Sequence, residues 1–233
     1  MGVLEIIEGG LAAFGLPAGG EKLAAYLERM LDYNRVVNLT AIRDPEEAAL
    51  RHVVDSFSLF SLGVIRPGDR ILDIGTGAGF PAAPLAILSD CEVTALDSVQ
   101  KKVRFVAEAG EALGLHNLHA LAGRAEELAH TGLRESFDLV TARGVTKLRA
   151  LAEYALPFAK VGGHLLAMKG EDVAEEIEEA SHALAALGGE LIRVERIPLP
   201  GSEIVHTVAV IRKRSHTSTK YPRKQAAILK SPL

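Results

Sequence analysis

The feature that most constrains the fold is a short apolar segment that runs directly into three alternating glycines. Residues 71–74 have the pattern of a buried strand, and they are followed by Gly75, Gly77 and Gly79. Because glycine tolerates positive φ angles and close backbone approach, such a loop can wrap a ligand that side chains would exclude. A second apolar segment, residues 93–96, ends in Asp97, whose carboxylate can accept hydrogen bonds from both hydroxyls of a ribose. The sequence therefore predicts an α/β domain that binds a nucleoside at the carboxyl ends of two strands.

The spacing within the loop separates two classes of nucleoside ligand. The dinucleotide fingerprint is Gly-x-Gly-x-x-Gly, whereas this chain has Asp-x-Gly-x-Gly-x-Gly, beginning at Asp73. A carboxylate before the loop would repel a pyrophosphate, but it can orient the loop or meet the ammonium group of a methionine moiety. The pattern resembles the S-adenosylmethionine (SAM) loop of class I methyltransferases, which makes candidate cofactor-binding residues of Asp73, Gly75, Gly77 and Gly79. A dinucleotide site and a purely structural turn are the alternatives.

The apolar periodicity after residue 69 alternates between strand and helix spacing, as in a parallel sheet with crossover helices. Strands are predicted near residues 70–74, 92–96, 118–121, 137–142 and 162–168, and helices near residues 81–89, 99–114, 125–130, 146–159 and 172–187. Two later strands, near residues 189–197 and 205–213, predict an antiparallel hairpin. The predicted fold class is therefore α/β, a Rossmann-like and mostly parallel sheet closed by a hairpin, which is the architecture of class I SAM-dependent methyltransferases. We predict an N-terminal helical extension over residues 1–66, a SAM-binding core over 67–213 and a basic tail over 214–233.

The charge of the chain is unevenly distributed. The net charge is −4, but the segment after Glu203 has seven Lys or Arg residues and no acid, so it carries +7 and the rest carries −11. A basic tail on an acidic body predicts contact with a polyanion at one edge, and the alternative is a solvated, poorly ordered terminus. The sequence has no transmembrane stretch, no secretory signal and a single cysteine, Cys91. We expect a cytoplasmic protein with no membrane contact.

Beyond the SAM loop, the chain resembles the 16S ribosomal RNA guanine-N7 methyltransferases of the GidB family, also called RsmG, from about residue 20 to residue 233. The matching segments in the core are Leu72-Asp-Ile-Gly-Thr-Gly-Ala-Gly-Phe-Pro81, Gly123-Arg-Ala-Glu-Glu127 and Asp138-Leu-Val-Thr-Ala-Arg143. Outside the core they are Asn38-Leu-Thr40, His52-Val-Val-Asp-Ser56, Tyr221-Pro-Arg-Lys224 and Lys230-Ser-Pro-Leu233. The chain departs from the family pattern at Ala82, where glycine is usual, and at residues 225–229, where a Gly-x-Pro segment is usual.

The resemblance implies a site at the ends of the strands. It implies SAM contacts by Gly75, Phe80, Asp97, Ser98, Ala125, Glu126 and Arg143, and methyl transfer to N7 of a guanine in 16S ribosomal RNA or the small ribosomal subunit. Arg143 is the predicted catalytic residue, either at the methionine end of SAM or at guanine O6. Lys169, at the end of the fifth strand, is either a ligand contact or solvated. The tail residues predicted to bind RNA are Lys220, Arg223, Lys224 and Lys230.

Two helices are predicted before the core. The first covers residues 21–33, and the second begins after the N-cap Asp44 and runs to about residue 62. His52 and Asp55 share one face of the second helix. We predict that they pair with each other and tie the extension to the core, with a role in holding guanine as the alternative.

The predicted chemistry needs few groups. Guanine N7 has a free lone pair and no proton to remove, so alignment can supply much of the catalysis. Neither a strong base nor a metal is required, and His116 and His119, on a predicted loop, lack further ligands. We expect a monomer without a metal. The competing hypotheses are a class I methyltransferase acting on a small molecule or protein, and a non-catalytic SAM-dependent RNA-binding module.

Overall fold

In the computed structural model, which describes residues 2–170 and 173–233, seven strands form one sheet in the order β3-β2-β1-β4-β5-β7-β6. The strands are β1 (Arg70–Ile74), β2 (Glu92–Asp97), β3 (Leu118–Ala122), β4 (Phe137–Arg143), β5 (Ala159–Lys169), β6 (Gly189–Pro198) and β7 (Val205–Lys213). Strands β1 to β5 are parallel, whereas β7 is antiparallel to both β5 and β6. The predicted α/β fold with a closing hairpin is confirmed.

Ten α-helical segments accompany the strands in the described residues. They are α1 (Val3–Ala13), α2 (Gly20–Asn34), α3 (Pro45–Ala48), α4 (Asp55–Phe57), α5 (Ala82–Leu88), α6 (Gln100–Ala112), α7 (Ala125–Leu128), α8 (Leu148–Ala155), α9 (Ala174–Ala186) and α10 (Gln225–Lys230). A π-helical segment, Ala49–Val54, joins α3 to α4, and 3-10 turns cover Phe60–Leu62 and Leu156–Phe158. The sequence predicted neither α1, α10 nor the π-helical segment.

Several predicted boundaries are wrong for local reasons. The second N-terminal helix ends at Phe57 rather than near residue 62, because the hydroxyl of Ser58 bonds back to the carbonyl of Asp55 and competes with helical hydrogen bonds. The helix predicted to reach residue 159 ends at Ala155, where Pro157 enters a 3-10 turn. His119 lies within β3, not on a loop. The helix predicted over residues 172–187 is α9, and Val173 is its N-cap rather than its second residue. Asp172, the first residue of the predicted helix, lies outside the described residues.

The N-terminal extension shares a hydrophobic core with one face of the sheet. The apolar residues of α2 at helical spacing, among them Leu23, Leu27 and Met30, are at most 1% exposed and belong to the same buried cluster as Ile71 of β1. The other face of the sheet is covered by α8 and α9 through a second cluster. The extension therefore packs directly on the layer that positions the glycine loop, and the domain boundary near residue 66 stays a prediction.

The C-terminal tail is folded against the core. Arg134 donates to the carbonyl oxygens of Thr217, Ser218 and Tyr221, and His130 bonds the carbonyl oxygen of Pro222. These bonds hold the backbone that leads to α10, so the alternative of a poorly ordered terminus is wrong. Within residues 2–170 and 173–233, no helix has the length and apolar character that a membrane crossing requires.

Candidate functional site

A cavity of about 340 Å³ opens at the carboxyl ends of β1, β2 and β4, where ligands bind in open α/β sheets. We call it the switch-point pocket. Its lining residues are Ile74, Gly75, Leu96, Asp97, Ser98, Gly123, Arg124, Ala125, Glu126, Val145, Thr146, Tyr154, Gln225 and Leu229. This set brings together five of the predicted cofactor-binding residues, namely Gly75, Asp97, Ser98, Ala125 and Glu126. The other five, Asp73, Gly77, Gly79, Phe80 and Arg143, are not among the lining residues. Its volume lies in the range of small-molecule sites, about 300–1,000 Å³.

The glycine loop has a backbone that other residues would strain. Gly75, Gly77 and Gly79 have φ angles of 69°, 60° and 86°. A Cβ atom at Gly75 would lie 2.7 Å from Val145 Cγ2, and one at Gly79 would lie 2.1 Å from Tyr26 Oη. Tyr26 is buried in α2, and its hydroxyl donates to the carbonyl oxygen of Ala78 at 3.0 Å. The third glycine is therefore required by the N-terminal extension, which holds the loop from behind.

Asp97 binds the glycine loop on the side that faces the switch-point pocket. Its Oδ2 accepts the N–H of Gly77 at 3.0 Å, and its Oδ1 accepts the N–H of Val99 at 2.9 Å. Asp97 is buried, with 7% of the residue exposed, and it lines the switch-point pocket. Because a carboxylate has about four acceptor positions, two backbone bonds leave capacity for the hydroxyls of a ribose.

Asp73 is a buried carboxylate beneath the loop. Thr141 donates to its Oδ1 at 2.9 Å, while neither Asp73 Oδ2 nor Thr76 Oγ1 has a hydrogen-bond partner among the described residues. Burial raises the pKa of Asp73 to about 6. A buried carboxylate at this place fits a cationic ligand group nearby and opposes a pyrophosphate.

Arg143 connects the sheet to the N-terminal extension. Its Nη1 donates to Asp55 Oδ2 at 2.8 Å and to the carbonyl oxygen of Arg51 at 3.0 Å, and its Nη2 lies 3.2 Å from His52 Nδ1. The ring of Phe80 is stacked on that of His52, with centroids 5.3 Å apart. The predicted catalytic arginine is therefore gripped by the π-helical segment, a type of element that is frequent at functional sites.

The predicted pairing of His52 with Asp55 is wrong, although both residues do tie the extension to the core. They meet through Arg143, and Asp55 also accepts a hydrogen bond from Nδ1 of His206 at the start of β7. The ring of His52 reaches Thr40 Oγ1 with its Nε2 at 3.0 Å. Burial and the neighbouring Arg143 lower the pKa of His52 to about 4. The ring is therefore neutral at pH 7.

Other predicted residues are less available than the sequence suggested. Lys169 Nζ bonds Glu176 and the carbonyl oxygen of Thr146, so it supports the loop after β4. Arg223 makes a bidentate ion pair with the fully buried Glu153. Lys220, Lys224 and Lys230 are exposed on the tail.

Sequence reasoning missed Tyr26, His206, Val145, Tyr154, Gln225 and Leu229. Only the apolar periodicity of α2 hinted at a buried Tyr26, and the other five reach the site through tertiary contacts. A larger cavity, of about 820 Å³, lies between α1, α2 and α3 and is lined by none of the predicted site residues. No group of three or more potential metal ligands occurs within the described ranges.

The comparisons with known proteins agree with one another. A family model described as rRNA small subunit methyltransferase G (GidB) matches residues 20–204. The "ribosomal RNA small subunit methyltransferase G" of Thermoanaerobacter sp. strain X514 is 42% identical over 215 residues, which cover 91% of this chain and 90% of that protein. The protein of the same name from Symbiobacterium thermophilum is 41% identical over 238 residues, covering 98% and 97% of the two chains.

Solved structures support the fold. A SAM-dependent methyltransferase from Aquifex aeolicus superposes with a TM-score of 0.53 at 22% identity, covering 70% of this chain and 92% of that one. TrmN from Thermus thermophilus gives a TM-score of 0.54 at 24% identity, covering 69% of this chain and 48% of that one. These likenesses confirm the class I methyltransferase fold. Together with the family model and the relatives, they show that the chain belongs to the GidB family of ribosomal RNA small subunit methyltransferases.

Proposed function

We propose that the protein transfers a methyl group from SAM to N7 of a guanine in 16S ribosomal RNA. The observation that carries the proposal is the switch-point pocket, in which the glycine loop and the carboxylate of Asp97 stand side by side at the ends of β1 and β2. Membership of the GidB family supports the ribosomal RNA substrate.

The residues of the pocket fit the parts of SAM. Asp97 has free acceptor capacity for the ribose, and the segment from Ser98 to Val99 lies beside it. Ala125 and Glu126, at the start of α7, line the side of the pocket suited to the adenine. We assign the methionine end of SAM to the side of Gly75, where the carboxylate of Asp73, buried beneath the loop and outside the pocket lining, favours an ammonium and a sulfonium. When bound, SAM supplies an electrophilic methyl group and leaves as a neutral thioether.

The residues of the chain act on this reaction by orientation and charge. Guanine N7 offers a lone pair, so no side chain has to remove a proton. The pKa of His52, lowered to about 4, makes its ring a weak base, which is consistent with a packing role for this residue. Arg143 and the stacked rings of Phe80 and His52 form a fixed wall between the loop and the extension. Holding two reactants in line can supply about 7–11 kcal/mol of the barrier lowering.

The substrate has to present its base outside a helix. The deep, narrow major groove of an A-form RNA helix hides the edges of its bases from side chains. Proteins therefore recognise specific RNA bases mainly in single-stranded or looped segments. The exposed Lys220, Lys224 and Lys230 give the tail a surface for the RNA backbone. We propose that the protein acts as a monomer in the cytoplasm, on 16S RNA or the small subunit that contains it.

The test is to incubate the protein with methyl-labelled SAM and either naked 16S RNA or small subunits, and to map the labelled base. We expect one labelled guanine. RNA that carries 7-deazaguanine at that position should still bind but accept no methyl group, because carbon replaces the nucleophilic nitrogen. Transfer to the 7-deaza substrate at the normal rate would contradict the N7 assignment. Binding of SAM and RNA without any transfer would favour a non-catalytic RNA-binding module.

A further inference from the structure

We infer that helix α10 of the C-terminal tail is part of the cofactor site, with Gln225 and Leu229 forming the wall that closes the nucleoside side of the switch-point pocket. This inference rests on the proposed function, because it takes SAM as the ligand of that pocket. It extends that function by assigning cofactor contacts to a segment that the sequence connected only with RNA.

The geometry of α10 places one of its faces on the pocket. Gln225 and Leu229 are four residues apart, so they occupy the same side of the helix, and both line the pocket together with Ala125 and Glu126. The neighbouring Ile228 is 0% exposed and packs in a small cluster with Ala150 and Tyr154 of α8. Ile228 therefore fixes the rotation of α10 about its axis. Leu229 cannot turn away from the pocket unless Ile228 leaves its contacts with Ala150 and Tyr154.

Polar contacts join α10 to the segment suited to the adenine. Arg124 donates to Gln225 Oε1 at 2.8 Å and lies 3.8 Å from Glu126 Oε1. Just before the helix, Arg223 is held to the buried Glu153 by its backbone N–H and by both ends of its guanidinium group. The tail helix and the start of α7 are therefore positioned as one unit.

The exposure of two apolar side chains points to a ligand between them and solvent. Leu229 is 57% exposed and Val145 is 39% exposed, although both line a cavity. A flat heteroaromatic base in the pocket would cover apolar surface on such side chains, which is favourable in proportion to the area covered. Residues 225–229, which stand where the resemblance leads us to expect a Gly-x-Pro segment, form most of the helix that carries Leu229.

A linkage between cofactor and tail follows. If SAM contacts α10, then SAM binding stabilises the docked tail to the same degree that the docked tail stabilises SAM binding. The backbone amides of α10 should therefore exchange hydrogen more slowly when SAM is present.

The experiment compares variants of the full-length protein by titration calorimetry with SAM and with S-adenosylhomocysteine. Leu229→Ala should weaken both ligands by about fivefold or more, and Leu229→Asp by more, because apolar cover is lost or replaced by charge. Gln225→Ala should weaken them by about threefold, because Arg124 loses one partner. The matched control is Ala226→Gln, on an exposed position of the same helix that does not line the pocket.

The outcomes separate this inference from the proposed function. Wild-type affinity in folded Leu229→Ala and Leu229→Asp, together with unchanged exchange of α10 on adding SAM, would overturn the role of α10. Failure of the wild-type protein itself to bind SAM would overturn the proposed function and, with it, this inference. Circular dichroism and the thermal midpoint establish that the variants are folded, which the exposure of Leu229 favours.

Discussion

Arg143 has two roles to separate, because we predict that it acts in catalysis and it also neutralises the fully buried Asp55. Arg143→Ala should lower turnover by about 100-fold or more, because a misplacement near 1 Å costs that much. The same change should destabilise the protein by about 2–3 kcal/mol, at or below the low end for a broken buried pair, because His206 remains beside Asp55. Steady-state kinetics and urea unfolding measure the two effects. Arg143→Lys keeps the positive charge but loses the several N–H donors of the guanidinium group, so we expect a stability between those of the wild type and Arg143→Ala. If Arg143→Ala leaves the free energy of unfolding unchanged, Arg143 does not stabilise the contact between the sheet and the N-terminal extension.

His52 should make stability depend on pH in a defined window. Its pKa is lowered to about 4 by burial and by Arg143, against about 6.5 in the unfolded chain. As the pH falls from about 6.5 to about 4, the unfolded state gains a proton that the folded state does not, so the free energy of unfolding falls by about 3 kcal/mol and then levels off.

The His52 contribution is isolated by comparing the wild type with His52→Gln in urea unfolding across this pH range. Asp73, whose pKa is raised to about 6, has the opposite effect between about pH 4 and 6, because there the folded state binds more protons. That effect is common to both proteins and cancels in their difference. If the difference in the free energy of unfolding between the two proteins does not change with pH, then the folded state does not lower the pKa of His52.

Contacts between elements explain which parts of the site were predictable. The glycine loop and the acid at the end of β2 are local patterns, so the sequence predicted Gly75 and Asp97 together in one pocket. The partners of Arg143 lie about 90 residues away in the chain, and no local spacing indicates them. Helix α10 has only six residues, which is too short to be stable alone, and it depends on Ile228 and on the Arg223 ion pair. The π-helical segment has no sequence pattern of its own.

The contact between α2 and the glycine loop predicts strong coupling between Tyr26 and Gly79. Gly79→Ala should destabilise the protein by about 3 kcal/mol or more, because the φ angle of 86° strains alanine and its Cβ would clash with the tyrosine hydroxyl. Tyr26→Phe alone should cost about 1 kcal/mol for the lost hydrogen bond. In the double variant the closest contact of the new Cβ lengthens from 2.1 Å to 3.1 Å, the distance to the nearest ring atom, so the clash is reduced although the contact stays tight. Urea unfolding of all four proteins should show at least about 1 kcal/mol of coupling, and simple additivity would argue against the contact.

The ion pair between the tail and α8 predicts a structural role for Arg223. Glu153 is fully buried, so Arg223→Ala should destabilise the protein by about 3–5 kcal/mol through the uncompensated carboxylate. Lys224→Ala, at the next and exposed position, serves as the control and should change stability by less than about 0.5 kcal/mol. Equal stability of the two variants in urea unfolding would mean that the tail does not depend on the pair.

Folding leaves only some of the positive charges after Glu203 without carboxylate partners among the described residues, and most of these lie in the C-terminal tail. Of the seven cations after Glu203, Lys213 is buried beside Glu135, Arg214 pairs with Glu190 and Arg223 pairs with Glu153. The other four are exposed: Arg212 lies on β7, Lys220 and Lys224 precede α10, and Lys230 ends α10, the helix that lines the switch-point pocket. An RNA backbone drawn to these lysines would therefore approach the pocket, while the acidic body with a charge of −11 would repel it elsewhere.

Replacing Lys220, Lys224 and Lys230 together by alanine should weaken RNA binding and flatten its dependence on salt. Each lost phosphate contact lowers the slope of log affinity against log salt concentration by about 0.7–0.9, so the triple variant should lose about 2–3 in slope. The control replaces Lys22, Arg29 and Arg104, three exposed cations outside the tail, and should leave the slope unchanged. Affinity for SAM should stay near the wild-type value in both variants, because none of these six residues lines the pocket. Filter binding of 16S RNA over a series of salt concentrations measures the slope. A slope equal to that of the wild type in the tail variant would place the RNA contacts on another face of the molecule.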